Sequence, residues 1–296
     1  MTLDATVTSR LLAAGLDPGD TERAIRAALD EDLRYGPDVT SAATAAPGAR
    51  AAAAVAAREP GVLAGLPVAL AVLDAAGIPP GTAETRAADG DRIGRGTEVL
   101  RIRAPLRELL GAERTLLNFV THLSGIATAT RAWADALAGT GCAVRDTRKT
   151  TPGLRQLEKY AVRCGGGLNH RMGLGDAALI KDNHVAAAGG IAAAIAAVRA
   201  AAAGLPLEVE CDTLTQVRQA LDAGAELILL DNMGLADLRA AVALARQYPP
   251  ARLEASGGLR LAQARAVAET GVDFVAVGAL THSSPALDLG LDVLAC

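Results

Sequence analysis

The second half of the chain alternates short apolar runs with helical segments. The apolar runs predict six strands, at residues 143–145, 178–180, 207–209, 227–230, 252–254 and 274–277. Amphipathic stretches between most of them predict helices at residues 191–203, 214–223, 235–247 and 259–269. This spacing is typical of parallel βα units. Six units without a GxGxxG turn after the first strand favour an α/β barrel over a dinucleotide-binding fold.

The first half of the chain has a different pattern. Leucine and isoleucine at helical spacing predict two helices within residues 8–33 and a long helix at residues 106–139. Apolar runs at residues 51–57, 61–64 and 99–102 alternate with turn signals, and residues 67–76 fit a further helix. With 296 residues, the chain is long enough for two domains or one large barrel.

Polar residues or glycines follow each of the six predicted strands. In strand order they are residues 146–153, residues 181–184, Glu210, residues 231–232, residues 256–258 and Gly278. Active sites of α/β barrels lie at the C-terminal ends of the strands. We therefore expect these residues to share one cavity, although turns after strands are polar in many proteins without a site.

Positive charge is concentrated between residues 145 and 181. This segment has eight Lys and Arg residues against three acidic ones, whereas the whole chain has 29 against 33. The three lysines of the chain, Lys149, Lys159 and Lys181, all lie in it. The segment predicts an anion site, with a solvated basic face as the alternative. The overall net charge of -4 gives no general attraction to nucleic acid or anionic membrane.

The cationic residues suit a ligand with several carboxylates. Arg148 and Arg171 can each bind a carboxylate through two N–H groups. Lys149 and Lys181 can neutralise the remaining charge as point donors.

Carboxylates and glycines follow the later strands. Glu210 and Asp231 can bind hydroxyl groups or Mg²⁺, which prefers oxygen ligands. The backbone around residues 256–258 and Gly278 can offer N–H groups to a phosphate. The two sets together predict an organic acid beside a magnesium-bound sugar phosphate.

Other features of the sequence exclude several classes of protein. The N-terminal segment has no apolar run long enough for a signal peptide, and the alanine-rich segments are too weakly hydrophobic to span a bilayer. The four cysteines are widely separated and form no CxxC pair, so we expect reduced thiols. We therefore expect a cytoplasmic protein that binds neither membrane nor nucleic acid.

Several motifs resemble those of the quinolinate phosphoribosyltransferase family. They include DTRKTTPG at 146–153, LEKYAV at 157–162, GGGLNHR at 165–171 and LIKDNH at 179–184, with further matches at 31–41, 113–115, 123–128, 208–210, 229–232, 256–258 and 277–283. The matches run in order from about residue 30 to the C-terminal end. The resemblance implies an N-terminal α/β sandwich, placed at residues 1–115, and a catalytic incomplete α/β barrel of the type II phosphoribosyltransferase kind, placed at residues 116–296.

The resemblance also implies an activity and a site. The reaction transfers phosphoribose from phosphoribosyl pyrophosphate to quinolinate with decarboxylation, giving nicotinate mononucleotide, pyrophosphate and CO₂ for NAD biosynthesis. The implied quinolinate contacts are Arg114, Arg148, Lys149, His170, Arg171 and Lys181. Glu210 and Asp231 would bind ribose hydroxyls and Mg²⁺, and Ser256, Gly257, Gly258 and Gly278 would bind the 5-phosphate. Lys149, Lys181, Glu210 and Asp231 would be catalytic, and Arg114 would complete the site of a neighbouring subunit in a homodimer or hexamer.

Two alternatives remain at this point. One is a relative of the same fold that acts on another substrate, and the other is a metabolite-binding barrel without activity. The combination of Arg114, Arg148, Lys149 and Arg171 favours a dicarboxylate. The presence of Glu210 with Asp231 favours turnover. The remaining histidines, His122, His184 and His282, are expected to make structural hydrogen bonds.

Overall fold

The computed structural model describes residues 3–294, which form two units. The first unit comprises residues 3–131, 150–166 and 280–294, and the second comprises residues 132–149 and 167–279. The predicted domain boundary between residues 115 and 116 lies inside the long helix α5 (Leu106–Leu137), and it stays a prediction.

The first unit contains a four-stranded antiparallel sheet in the order β12–β1–β5–β3. Its strands are β1 (Arg50–Ala57), β3 (Ala83–Thr85), β5 (Glu98–Pro105) and β12 (Leu289–Leu294), and a two-stranded sheet joins β2 (Gly61–Val62) to β4 (Arg92–Ile93). The C-terminal strand β12 pairs with β1 near the start of the chain, along the register from Ala52 with Leu294 to Ala57 with Leu289. Long-range pairing therefore joins residues 52–57 to residues 289–294 in one sheet.

Helices accompany this sheet. They are α1 (Ala5–Ala13), α2 (Pro18–Leu33), α3 (Val39–Thr44), α4 (Leu66–Ala75), most of α5, and α6 (Arg155–Cys164). Helix α4 is apolar on every side, and its residues from Leu66 to Leu73 are almost all buried, as expected for a core helix. Gly65 precedes α4 and has no side chain to cap it. The carboxylate of Asp89 instead accepts the N–H groups of Gly65 and Leu66, at 3.0 and 3.2 Å.

The second unit contains a parallel six-stranded sheet in the order β6–β11–β10–β9–β8–β7. The strands are β6 (Ala143–Arg145), β7 (Ala178–Ile180), β8 (Leu207–Cys211), β9 (Leu227–Asp231), β10 (Arg252–Ser256) and β11 (Phe274–Ala276). This is the cyclic order of a βα barrel, with β11 beside β6. Among the described residues β6 and β7 do not pair with each other, so the barrel is incomplete.

The helices of the second unit follow its strands along the chain. They are α7 (Asp182–Ala188), α8 (Ile191–Ala201), α9 (Leu214–Asp222), α10 (Leu235–Ala245) and α11 (Ala264–Ala268). Helix α12 (Ala279–His282) follows β11, and three of its four residues belong to the first unit. No single helix within residues 3–294 is long and apolar enough to cross a membrane. Only α7 and α8 taken together meet that test, by length and composition alone, and they are bent by 88°.

The structure confirms the six predicted strands, and three of them extend one or two residues beyond the predicted ends. The predicted helix at residues 259–269 is wrong in its first part. A 3-10 turn at Leu261–Gln263 comes first, and only the five residues of α11 are α-helical. Strand β12 and helix α6 were not predicted. The pairing that stabilises β12 joins segments distant in sequence, which a local pattern does not show.

We expect Asp89→Ala to destabilise the first unit. The substitution leaves the N–H groups at the start of α4 without their acceptor and removes the acceptor of the Tyr160 hydroxyl. A loss of about 1–3 kcal/mol in the free energy of unfolding is expected, measured by chemical denaturation. Asp89→Asn keeps one acceptor oxygen and is the matched control. Equal stability of the alanine variant and the parent protein would contradict this role of Asp89.

Candidate active site

Polar side chains lie together at the C-terminal edge of the parallel sheet. Glu210 is paired with Leu229 across β8 and β9, and Asp231 is paired with Ser256 across β9 and β10. Paired residues share a face and side chains alternate along a strand, so these four side chains lie on the same face. Lys181 follows β7 at the same edge.

These strand ends surround a cavity of about 370 Å³. The cavity is lined by Arg148, Lys149, His170, Arg171, Lys181, Glu210, Asp231 and Ser256, which were all predicted, and also by Thr147, Leu179, Leu229 and Ala276. It therefore combines cations that follow β6 and β7 with carboxylates at the C-terminal ends of β8 and β9. All of these residues belong to the second unit.

Two arginines approach each other on one side of the cavity. The Nε atom of Arg148 is buried and has no hydrogen-bond partner among the described residues. Arg171 donates through Nη1 to the carbonyl of Ala177 at 3.0 Å. Burial, and then the positive charge of Arg148, lower the pKa of Arg171. Two like charges that line one cavity favour the binding of an anion there.

Lys181 lies at the junction between the cationic and the acidic residues. Its ammonium forms an ion pair with the carboxylate of Glu210. Its backbone N–H donates to Nδ1 of His184 at 2.9 Å, at the start of α7. His184 therefore makes the kind of structural hydrogen bond that was predicted, and that bond holds the backbone of a residue lining the cavity.

Asp231 is oriented by the residue that follows it. Asn232 has a positive φ of 54°, and its amide Nδ2 donates to Oδ2 of Asp231 at 2.7 Å. The backbone N–H of Asn232 donates to the carbonyl of Ser256 at 3.0 Å. A Cβ atom at Gly257 would lie 2.3 Å from the Asn232 side chain, and Gly257 itself has φ of +98°. Only glycine fits at position 257.

Four predicted site residues are not among the residues lining this cavity. Gly257 and Gly258 follow directly after β10, and Gly278 lies just beyond β11. Gly258 has φ of +57°, and a Cβ there would meet no atom within 4 Å, so its backbone faces open space. Arg114 is an exposed residue of α5 in the first unit.

A buried charged layer lies on the same face of the sheet, closer to the N-terminal ends of the strands. Glu254 is fully buried and forms an ion pair with Arg145, whose guanidinium carbon lies 4.9 Å from the centre of the Phe274 ring. Glu208 is also buried. Burial, and then the charge of Glu208, raise the pKa of Glu254 to about 8.

Sequence reasoning missed this layer and the role of Asn232. The layer could have been predicted from the alternation of side chains along a strand, because residues two positions apart lie on the same face. Glu208 precedes Glu210 by two positions, and Glu254 precedes Ser256 by two, so each lies on the same face as a residue already predicted to line the site. An acidic residue inside an otherwise apolar parallel strand indicates a buried polar contact.

The other two histidines contact residues of the first unit. His122 lies with Nε2 at 2.9 Å from Oε1 of the buried Glu158, whose Oε2 accepts the backbone N–H of Thr151 at 3.0 Å. His282 lies with Nδ1 at 2.7 Å from the hydroxyl of Ser283. These contacts are of the structural kind that was predicted for both histidines.

Comparison with protein families covers most of the chain. The model of the N-terminal domain of quinolinate phosphoribosyl transferase matches residues 38–124, and that of its C-terminal domain matches residues 126–292. The chain belongs to the quinolinate phosphoribosyl transferase family.

Individual relatives match both units. A carboxylating nicotinate-nucleotide pyrophosphorylase of Mycobacterium leprae is 55% identical over 91% of this chain and 95% of its own length. The human protein of that name is 40% identical over 82% of each chain. The structure of nicotinate-nucleotide pyrophosphorylase from Francisella tularensis has a TM-score of 0.86 at 36% identity, covering 93% of this chain and 96% of that one. The predicted type II phosphoribosyltransferase fold is confirmed.

We expect the buried carboxyl of Glu254 to make stability depend on pH. Folding raises the pKa of Glu254 from 4.5 to about 8. Between these values the folded protein keeps a proton that the unfolded chain releases. This contribution to stability is therefore fully present below about pH 4.5 and is lost as the pH rises through about 8.

The corresponding experiment compares the parent protein with Glu254→Gln by chemical denaturation from pH 5 to pH 8.5. The free energy of unfolding should fall more steeply with pH in the parent protein, by up to about 1.4 kcal/mol per pH unit. Glu226→Gln, at an exposed position just before β9, is the control and should leave the slope unchanged. Parallel slopes for the parent protein and Glu254→Gln would contradict the raised pKa of Glu254.

Proposed function

We propose that this chain transfers phosphoribose from phosphoribosyl pyrophosphate to the ring nitrogen of quinolinate and releases the adjacent carboxylate as CO₂. The products are nicotinate mononucleotide, pyrophosphate and CO₂, in the biosynthesis of NAD. Family membership across both units supports this reaction. The supporting observation within the site is a single cavity lined by Arg148 and Arg171 together with Glu210 and Asp231.

The cationic side of the cavity suits quinolinate. Two carboxylates on adjacent ring carbons bring two negative charges, which Arg148 and Arg171 can bind through paired N–H groups. The buried Nε of Arg148 would then gain an acceptor. Lys149 and Lys181 add positive charge, and His170 contributes to the same wall of the cavity. A neutral or singly charged acid would leave part of this positive charge uncompensated.

The acidic side of the cavity suits the sugar phosphate. Glu210 and Asp231 can accept hydrogen bonds from the ribose hydroxyls, and Asn232 fixes the carboxylate of Asp231 for this purpose. The 5-phosphate is assigned to Ser256 and to the backbone around Gly257, Gly258 and Gly278. Glycines allow a phosphate to approach the backbone closely.

The chemistry needs no side-chain nucleophile. The pyridine nitrogen forms a bond to C1 of the ribose while the bond to pyrophosphate breaks, through a state with positive charge on the sugar. Glu210 and Asp231 stabilise that charge, and Lys149 and Lys181 stabilise the negative charge of the acid and the leaving group. The ribosylated nitrogen is cationic, so it stabilises the electron pair left on the adjacent ring carbon when CO₂ departs, and that carbon then takes a proton from water.

We also infer a requirement for Mg²⁺. The carboxylates of Glu210 and Asp231 are the hard oxygen ligands that this ion prefers, and both line the cavity. Bound there with phosphoribosyl pyrophosphate, Mg²⁺ would neutralise charge on the departing pyrophosphate.

Further parts of the proposal concern assembly and location. Arg114 is exposed on α5, and we assign it to the site of a neighbouring subunit in a homodimer or hexamer. The partners are small molecules, without nucleic acid or membrane, and the location is the cytoplasm. The net charge of -4 is in keeping with this set of partners.

Release of labelled CO₂ from carboxyl-labelled quinolinate tests the reaction. Release should require both phosphoribosyl pyrophosphate and Mg²⁺, because the ring nitrogen must become cationic before the carboxylate leaves. Omission of either, or addition of a chelator, should stop it. Absence of release under conditions in which a characterised family member is active would reject the proposed activity.

Arg148→Ala should affect the two substrates differently. Loss of a bidentate carboxylate contact should raise the apparent dissociation constant for quinolinate about 100-fold or more and leave that for phosphoribosyl pyrophosphate nearly unchanged. Isothermal titration measures both. Arg239→Ala, which removes an exposed arginine on α10, is the control. An equal loss of affinity for both substrates would contradict the division of the cavity.

Mixed assemblies test the sharing of Arg114. Arg114→Ala and Arg148→Ala should each be inactive alone. Co-expression of the two variants should recover about a quarter of the parental activity, because half of random dimers are mixed and each mixed dimer has one intact site. Activity is measured on the purified mixture. No recovery would show that Arg114 does not act across subunits.

A further inference from the structure

His170 is held at three points inside the second unit. The buried carboxylate of Asp146 accepts its backbone N–H at 2.8 Å. Its ring Nε2 lies 2.7 Å from Oε2 of Glu208. Its ring Nδ1 accepts the backbone N–H of Arg171 at 2.7 Å. The residue is only 8% exposed, so the ring cannot turn without breaking these contacts.

The two contacts of the ring nitrogens determine where the ring proton lies. A backbone N–H can only donate, so Nδ1 accepts and bears no proton. The ring proton is therefore on Nε2, where it is donated to the carboxylate of Glu208. Both nitrogens of His170 are used within the protein, although the ring lines the cavity.

We propose that Glu208 is a positioning residue for the carboxylate-binding side of the cavity. Glu208 fixes His170 as its Nε2–H tautomer, and His170 in turn holds the backbone of Arg171. Arg171 lines the same cavity as the like-charged Arg148, so a fixed backbone at Arg171 helps to hold the two cations in one site. This inference rests on the proposed function and gives His170 an indirect role, through Arg171, in binding the acid.

Within the described part of the chain, the buried carboxylate of Glu208 has only one of its two oxygens in a hydrogen bond. The Oε1 atoms of Glu208 and Glu254 are buried and have no hydrogen-bond partner in residues 3–294. Arg145 is paired with the other oxygen of Glu254. A buried carboxylate with an unpaired oxygen costs stability relative to an apolar residue of similar size. The bond to His170 is the contact that Glu208 gains in return.

The side chains of His170, Glu208 and Glu254 could alternatively form a metal site. Nε2 of His170 and carboxylate oxygens of Glu208 and Glu254 lie within 4.8 Å of one another. In the observed arrangement Nε2 bears the ring proton, whereas a metal ligand must offer a lone pair. Arg145 already supplies positive charge to Glu254. The contacts therefore favour a hydrogen bond between His170 and Glu208 over metal binding.

The position of Glu208 predicts which substrate is affected by its loss. Glu208 and Glu210 lie on the same face of β8, two residues apart. Glu210 contacts Lys181 and is assigned to the sugar phosphate, whereas Glu208 contacts His170 on the side of the two arginines. Replacement of Glu208 should therefore weaken binding of the acid and spare the sugar phosphate.

Steady-state kinetics of Glu208→Leu and Glu208→Gln test this expectation. Glu208→Leu should raise KM for quinolinate about tenfold or more, with KM for phosphoribosyl pyrophosphate changed by less than about twofold. Glu208→Gln should restore most of the affinity, because its amide oxygen can accept the Nε2–H of His170. The control is Asp273→Asn, which alters a carboxylate at the opposite edge of the sheet, bonded to the N–H of Leu253.

Nitrogen NMR of protein labelled with ¹⁵N-histidine reads the tautomer directly. The parent protein should show an unprotonated Nδ1 and a protonated Nε2 for His170, and the signals absent from His170→Gln identify that ring. Glu208→Gln should keep this pattern. Glu208→Leu should give a mixture of tautomers, provided that its thermal unfolding shows a folded protein.

The outcomes separate this inference from the proposed function. A His170 ring protonated on Nδ1 in the parent protein would overturn the inference, whether or not Glu208→Leu folds. An unchanged KM for quinolinate in a folded Glu208→Leu variant would also overturn it. Failure of the parent protein to release CO₂ would reject the proposed function, and the NMR result would then stand by itself.

Discussion

Repulsion between the guanidinium groups of Arg148 and Arg171 is the constraint on which the arrangement of the cavity depends. Both arginines lie between β6 and β7, Arg148 before helix α6 and Arg171 after it, and the guanidinium of Arg171 is held by the carbonyl of Ala177. Burial makes the repulsion larger, and both effects lower the pKa of Arg171. Two like charges lining one cavity favour an anion there, in keeping with the acid proposed as substrate.

Buried carboxylates hold Arg145 and His170 in place. Glu254 is paired with Arg145, Glu208 accepts the ring proton of His170, and Asp146 accepts its backbone N–H. Glu254 thus orients Arg145, and Glu208 and Asp146 orient the neutral ring and the backbone of His170, whereas Glu210 and Asp231 line the cavity itself. On one face of the sheet, the carboxylates closer to the N-terminal ends of the strands hold other residues in position. The carboxylates at the C-terminal ends are those proposed to bind substrate.

The same strands serve both purposes because side chains repeat every two residues. On β8 the step from Glu208 to Glu210 leads from the positioning layer to the cavity, and on β10 the step from Glu254 to Ser256 does the same. The sharp turn at Asn232 then directs the chain away from the sheet while its side chain holds Asp231.

The sequence by itself determined the six parallel strands, the basic segment and the residues at the strand ends, because apolar runs and spacing are local properties. It also indicated the family, through motifs in order along the chain. Only the tertiary structure decided that β11 lies beside β6, that β12 pairs with β1, and that both ring nitrogens of His170 are used internally. These contacts join residues far apart in sequence, as Arg145 and Glu254 are by 109 positions. Strand pairing and hydrogen bonds between such residues depend on the folded geometry, which no local pattern records.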